Sequence, residues 1–188
     1  MNSAKTATLL MHLYNIQDTQ SPILLKPSID TRDGELNLRS RIGINRDVNF
    51  LIYSDTDLCL LIQDQRTNHI FVDEVQFLTV NQINQLRVIS MKVNVSCFGL
   101  KTDYRSNLFP ASRRLLEIAD KFKEIKTRCS CCFRKAVMTA KFKMVISTDR
   151  FGVIDSKKIY IRETENDDVI DIGGEDKYQS LCWRCYNK

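Results

Sequence analysis

MNSAKTATLL, residues 1–10, decides how the rest of the chain is read. A phosphate-binding loop is written G-x-x-x-x-G-K-[ST], and Lys5-Thr6 fits its end. Counted back from Lys5, Ala4 stands in the second glycine slot, and the first glycine would fall before Met1. An alanine methyl is tolerated at such a backbone-approach position where its φ is negative. Directly after the pair, Leu9, Leu10, Leu13 and Ile16 recur at helical spacing. A helix is therefore expected from Thr6 to about Gln17, with Lys-Thr at its N-terminus, where backbone amides favour phosphate.

Outward from this helix the chain alternates. Ile23 to Leu25 reads as a strand, followed by the polar KPSIDTRDGE with a turn at Asp33-Gly34. VNFLIYS is a second strand, after which Asp55 or Thr56 is placed to cap a helix through Leu58, Leu60, Leu61 and Ile62. HIFVDE is a buried strand ending in two carboxylates. NQINQLRVIS reads as a helix and KVNVSCFGL as a strand, and Ser112 opens the helix SRRLLEIADKFKEI. Strands alternating with helices predict an α/β fold, a parallel sheet with helices on its faces. From about Ile125 the style changes to short alternating strands, MTAKFKMVIS and KKIYIRE, set between two cysteine pairs. The expected division is a P-loop nucleotide-binding domain over residues 1–125 and a small zinc-ribbon domain over 126–188.

Composition bounds the function. A chain of 188 residues with 43% hydrophobic content builds a sizeable core, which excludes wholesale disorder. The apolar runs are too short to cross a bilayer, so no membrane role is expected. The N-terminus lacks a basic segment leading into an apolar stretch and a cleavage site, so a reducing cytoplasm is expected. There, seven cysteines point to metal or buried thiols rather than disulfides. The net charge of +5 suits an anionic partner, although the basic residues are scattered and only Lys121 to Arg128 resembles a cluster.

Two motifs carry chemistry. Cys129-x-x-Cys132 and Cys182-x-x-Cys185 have the spacing that lets four thiolates close a tetrahedron around structural zinc. Cys131 is a competing ligand, with spacing favouring Cys129 and Cys132, while Cys59 and Cys97 sit in apolar runs as ordinary buried thiols. The second motif is FVDE. An acid ending an apolar strand says little alone, but beside a helix that opens on Lys-Thr it completes what a nucleoside triphosphate needs. That set is amides and a lysine around the phosphates, a hydroxyl on magnesium, and an acid at a neighbouring strand's end. Asp73 would hold the metal, leaving Glu74 for acid-base work.

With these motifs in order, the chain resembles the type II thymidine kinases. The likeness lies in MNSAKT, KPSIDTR, FVDEVQFL, GLKTDYRSNLF, the cysteine pairs and IGGEDKYQSLC, and it covers nearly the whole chain. It implies a RecA-like P-loop fold with a lid, or lasso, loop on the zinc ribbon, and ATP- and Mg²⁺-dependent phosphorylation of thymidine or deoxyuridine. Ser3, Ala4, Lys5 and Thr6 would line the phosphate loop, with Lys5 on the β and γ phosphates and Thr6 on Mg²⁺. Asp30 and Arg32 fall beside the transfer site. Asp73 matches the metal acid, and Glu74 the base that takes the proton from the nucleoside 5′-hydroxyl. The pyrimidine pocket is matched by Met1, Phe77, Leu100, Tyr104, Phe109 and Thr139. The lid DDVIDIGGEDKY adds Val169 and Tyr178, with Gly173-Gly174 supplying a permissive backbone. A homotetramer and feedback inhibition by thymidine triphosphate are also implied.

The chain departs from the family in three places: no strand and glycine turn precede the loop, Lys141 stands where many relatives have arginine, and the stretch from Lys143 to Asp168 is long. The first leads to two alternative expectations, a translation start upstream of Met1, which is preferred, or a truncated form of the chain. Two rivals remain, a catalytically impaired regulatory paralogue and a zinc-ribbon nucleic-acid-binding protein. The acids Asp73 and Glu74 argue against the first. The lack of aromatics interleaved with Lys or Arg in the ribbon argues against the second, so no nucleic-acid partner is expected.

The cysteine spacing predicts about one zinc per chain, by the four-thiolate stoichiometry of a closed site. Elemental analysis of purified protein checks this, and Cys182→Ser is expected to lose the metal; a metal-free parent with all thiols titratable would exclude the site.

Overall fold

The computed structural model describes residues 4–31, 34, 36–148, 154–161 and 177–188, with side chains described except over 143–148 and 154–161. Two compact units divide the chain. One comprises Ala4–Lys101 and Leu108–Ile125, the other Thr102–Asn107 and the described residues of 126–188.

In the first unit, α1 (Lys5–Gln20) leads into β1 (Ile23–Pro27), every residue of which is buried. A strand buried on both faces must belong to the middle of a sheet covered on both sides. β1 pairs in parallel with β4 (Phe50–Ile52) on one side and β5 (His69–Val72) on the other, and β5 pairs with β6 (Asn94–Cys97). The sheet order is β4-β1-β5-β6. Side-chain alternation sorts its residues to two cores. Leu24 and Phe71 join Leu9, Leu10 and Leu13 of α1 on one face. Ile23, Leu25, Ile70 and Val72 join the helices α2 (Leu58–Ile62), α3 (Val80–Ile89) and α4 (Pro110–Ile118) on the other. The expected α/β class, a parallel sheet flanked by helices, is what the chain forms.

Several boundaries differ from the sequence reading, each for a local reason. α2 is capped by Asp57, not Asp55 or Thr56, because its carboxylate accepts the Leu60 N–H at 3.0 Å. Thr56 instead turns its hydroxyl to the Tyr53 N–H. α4 starts at Pro110 rather than Ser112, since Pro is favoured at the first helical position. It stops at Ile118, because Leu115 and Ile118 are its last side chains against the core and Phe122 beyond them is exposed. Sequence reading also missed an antiparallel hairpin, β2 (Asn37–Arg39) with β3 (Asn45–Asp47), turned at Gly43 with φ 90°. Two three-residue strands that are mostly polar carry too little alternation to announce themselves.

The second unit contains β7 (Met138–Thr148), paired antiparallel with β8 (Ile154–Ile161) and with β9 (Tyr178–Leu181), and the single turn α5 (Trp183–Tyr186). Met138 lies opposite Leu181. That register sets the chain just before β7 beside the chain just after β9, where the two cysteine pairs lie.

The entry to α1 corrects one expectation. Ala4 is not at negative φ but left-handed, at φ 53° and ψ 25°, with its carbonyl accepting both the Thr8 N–H and the Thr8 hydroxyl at 2.8 Å. A side chain in that region costs about 1–2 kcal/mol, and glycine gives back part of the gain as unfolded-state entropy. Ala4→Gly is therefore expected to raise the melting temperature by about 1–4 °C, a net gain of about 0.5–1 kcal/mol. A fall in melting temperature would show that the left-handed turn is not strained.

Candidate active site

The site grows from the end of β5. Val72 closes the strand, and backbone bonds from Asp73 N–H to the Leu25 carbonyl (3.0 Å) and from Val75 N–H to the Phe98 carbonyl (2.9 Å) hold the chain as it leaves the sheet. Between them Glu74 adopts a left-handed conformation, φ 46° and ψ 40°. An L-residue held there is strained, and such strain collects where a side chain must be aimed. From the first turn of α1, the Thr6 hydroxyl donates to Asp73 Oδ2 at 2.9 Å, and Lys5 Nζ lies 3.7 Å from Glu74 Oε1. The Lys-Thr pair and the two acids, far apart in sequence, thus converge.

Both carboxylates are buried, Asp73 at 1% and Glu74 at 5% exposure. Loss of solvation, then the neighbouring Glu74 charge, pushes Asp73 up to about 6 against the opposing pull of Lys5 and the Thr6 hydroxyl. Asp73 Oδ1 is buried with no hydrogen-bond partner among the described residues. An unsatisfied carboxylate oxygen beside a threonine hydroxyl fits a hard divalent cation, which takes oxygen ligands.

Gln76, which the sequence reading quoted but gave no role, ties the site together. Its Nε2 donates to Glu74 Oε2 and its Oε1 accepts the Leu100 N–H at 3.0 Å. Gly99 makes room for it: a Cβ there would stand 2.6 Å from Gln76 Oε1 and 2.8 Å from Val75 Cγ1. Lys26 was also missed. It is fully buried at the end of β1 and donates to the carbonyls of Gly34 (2.8 Å) and Asn37 (3.0 Å). It so fixes the far end of the loop that carries Asp30, itself 2% exposed. A polar residue inside an apolar run was the available signal for Lys26, and the lone glycine after β6 for Gln76.

Of the expected pocket residues, Phe77, Leu100 and Phe109 belong to the sheet unit, where Phe77 and Phe109 meet edge to face at 6.1 Å. Tyr104, Thr139 and Tyr178 are buried in the other unit, with the two tyrosine rings 6.4 Å apart. Met1, Ser3, Arg32, Val169 and the Gly173-Gly174 pair lie outside the described residues.

The four cysteines meet. The sulfurs of Cys129, Cys132, Cys182 and Cys185 all lie within 4.8 Å of one another, with Cys132 and Cys182 at 3.5 Å. Zinc–sulfur bonds of about 2.3 Å in a tetrahedron imply sulfur separations near 3.8 Å, so the cluster fits zinc. Burial opposes ionisation of Cys129, but the amides of Cys182, Cys131 and Cys132 outweigh it and bring the thiol down to about 6. The Cys132 sulfur, first among its neighbours, pushes Cys185 up to about 12. Four thiolates this close need a cation to coexist. Cys131 is exposed and outside the cluster. Cys97 is an ordinary thiol pushed up to about 12 by burial.

Comparison with known proteins agrees with this geometry. The family model described as thymidine kinase matches residues 1–186. The thymidine kinase of Enterobacteria phage T4 is 37% identical over 195 residues, spanning all of this chain and 92% of that protein. That of Vibrio cholerae is 37% identical over 195 residues, with 100% and 93% covered. That of Photobacterium profundum is 34% identical over 194 residues, again with 100% and 93% covered.

The raised Asp73 predicts a pH-dependent trade of stability for function. Its pKa is higher folded than unfolded, so it adds stability below pH 4 and loses it as pH rises through about 6. In metal-free buffer at pH 7.5, Asp73→Asn is expected to be more stable than the parent by about 1–3 kcal/mol, with the difference vanishing by about pH 4. Denaturant melts at the two pH values check this; a variant less stable at pH 7.5 would refute it.

Proposed function

Because the chain belongs to the thymidine kinase family, we propose that its site moves the γ-phosphoryl group of ATP to the 5′-hydroxyl of thymidine or deoxyuridine. The observation that carries this reading is the convergence of Lys5 and Thr6 with Asp73 and Glu74. Lys5 binds the β and γ phosphates and leaves Glu74 as they arrive. Thr6 and Asp73 would hold Mg²⁺, which when bound neutralises charge on those phosphates. Glu74 takes the proton from the 5′-hydroxyl as its oxygen forms a bond to the γ-phosphorus. The bond from that phosphorus to the β–γ bridging oxygen breaks, and ADP leaves. Little covalent work falls to the protein, so positioning and charge stabilisation carry the rate.

Around this chemistry, Ser3, Ala4, Asp30 and Arg32 complete the phosphate site. Met1, Phe77, Leu100, Tyr104, Phe109, Thr139, Val169 and Tyr178 make the pyrimidine pocket. Zinc on Cys129, Cys132, Cys182 and Cys185 organises the ribbon domain over residues 126–188, which follows a kinase domain over 1–125. The active form is a cytoplasmic homotetramer that thymidine triphosphate restrains as end product. No described helix is long and apolar enough to cross a membrane.

Glu74→Gln is expected to lower kcat by about two to four orders of magnitude, the usual worth of a positioned base, while thymidine affinity stays nearly unchanged. Steady-state kinetics with thymidine and calorimetric binding separate the two. A kcat within a few-fold of the parent would remove Glu74 from the base role.

A further inference from the structure

Residues 102–107 leave the sheet unit and belong with the cysteine-bearing unit. They form a tight loop built on Asp103. Its Oδ1 accepts the N–H groups of Arg105 (2.9 Å) and Asn107 (2.8 Å), and its own N–H donates to the Asn107 carbonyl at 2.9 Å. Ser106 turns the loop at φ 66°. This loop presents Tyr104, 3% exposed, with the Arg105 guanidinium 5.3 Å and the Lys141 ammonium 5.2 Å from its ring centroid.

The backbone of Tyr104 is held from the other end of the chain. Its carbonyl accepts a 2.6 Å hydrogen bond from the hydroxyl of Tyr186, and Ser106 Oγ lies 3.5 Å from the same hydroxyl. Tyr186 follows Cys185 directly and ends α5, with its N–H on the Cys182 carbonyl at 2.9 Å. One helical turn does not hold its own shape in water. α5 starts beside Cys182 and contains Cys185, so what orders these two ligands also orders Tyr186.

We propose that Tyr186 is a positioning residue for the nucleoside: its hydroxyl carries the order of the four-cysteine cluster to Tyr104, so metal binding sets nucleoside affinity through a side chain outside the pocket. The inference rests on the reading that Tyr104 lines the pyrimidine pocket. Tyr186 fixes where Tyr104 stands and takes no part in proton or phosphoryl transfer. Loss of its hydroxyl therefore falls on thymidine binding and KM rather than on the chemical step. ATP affinity is untouched, since Lys5 and Thr6 stand on the sheet unit.

The test is Tyr186→Phe, which keeps the ring and its stacking on Trp183 and removes only the hydroxyl. Amide hydrogen exchange at Arg105 and Asn107 is expected to accelerate, and thymidine Kd and KM to rise about three- to ten-fold, the worth of one hydrogen bond. Zinc stoichiometry and ATP Kd should match the parent. Removing the metal from the parent with a chelator should accelerate the same two amides. Unchanged exchange in Tyr186→Phe at full zinc content would overturn the inference and leave the kinase reading intact. Accelerated exchange with unchanged thymidine affinity would also overturn it. Tyr104→Leu with unchanged thymidine affinity would instead remove the pocket reading beneath it.

Discussion

Two adjacent carboxylates, almost wholly buried at the end of an apolar strand, are the constraint on which the rest of the sheet unit depends. Asp73 and Glu74 follow a strand that is apolar from Ile70 to Val72, so neither acid reaches water. Uncompensated charges there would cost several kcal/mol each. The compensation comes from outside the strand: Lys5 and Thr6 from the first turn of α1, and Gln76 from the short turn that follows. The packing of Leu9, Leu10 and Leu13 on Leu24 and Phe71 is what holds α1 where its first turn meets the acids. The compensation is incomplete at Asp73, where one oxygen lacks a partner and the pKa stands near 6. A structural ion pair would be satisfied on all sides. Electrostatic demand left unmet in this way is what the proposed kinase reading calls for, since there a cation and a polyphosphate would supply what the protein does not.

The alternation of strands and helices was legible because burial writes itself into period. β1 and β5 are buried on both faces and read as short continuous apolar runs, which predict parallel strands. α1 was legible from Leu9, Leu10 and Leu13, all buried as the spacing implied. What the sequence concealed was held by single polar contacts rather than by pattern. The β2–β3 hairpin has Leu38 as its one buried apolar residue. The start of α2 turned on which of three nearby polar residues reached the Leu60 amide, a choice of tertiary context. The left-handed entry at Ala4 was invisible because alanine, unlike glycine or asparagine, gives no sign of a left-handed backbone.

The site was legible where identity and spacing coincide, at Lys5-Thr6, Asp73-Glu74 and the cysteine pairs. Gln76 was hidden because a glutamine in an apolar-rich segment announces no chemistry. Its importance comes from geometry: both ends of one amide are used, one on Glu74 and one on the Leu100 backbone, and Gly99 lacks a side chain that would displace it. Lys26 is a parallel case. A lysine with no exposure must place its ammonium on acceptors, and it finds two main-chain carbonyls in the segment that follows β1.

These two buried amphipathic side chains explain how strand ends become a site. In an open parallel sheet, ligands bind outside the carboxyl ends of the strands, where the connecting loops emerge. The sheet fixes only the roots of those loops, and a loop free to move cannot hold phosphate and hydroxyl at reacting distance. Lys26 braces the loop after β1, and Gln76 binds the turn after β5 to the loop after β6. Three neighbouring strand ends are thereby set by hydrogen bonds donated or accepted from inside the core, and the exposed surface of the loops stays available for ligand. Replacing either residue with an apolar one of similar size would keep the core filled, yet leave main-chain groups unsatisfied at the loops where placement matters most. The polar residues within this core therefore serve the geometry of the strand ends, while the apolar ones around them supply the stability that geometry draws on.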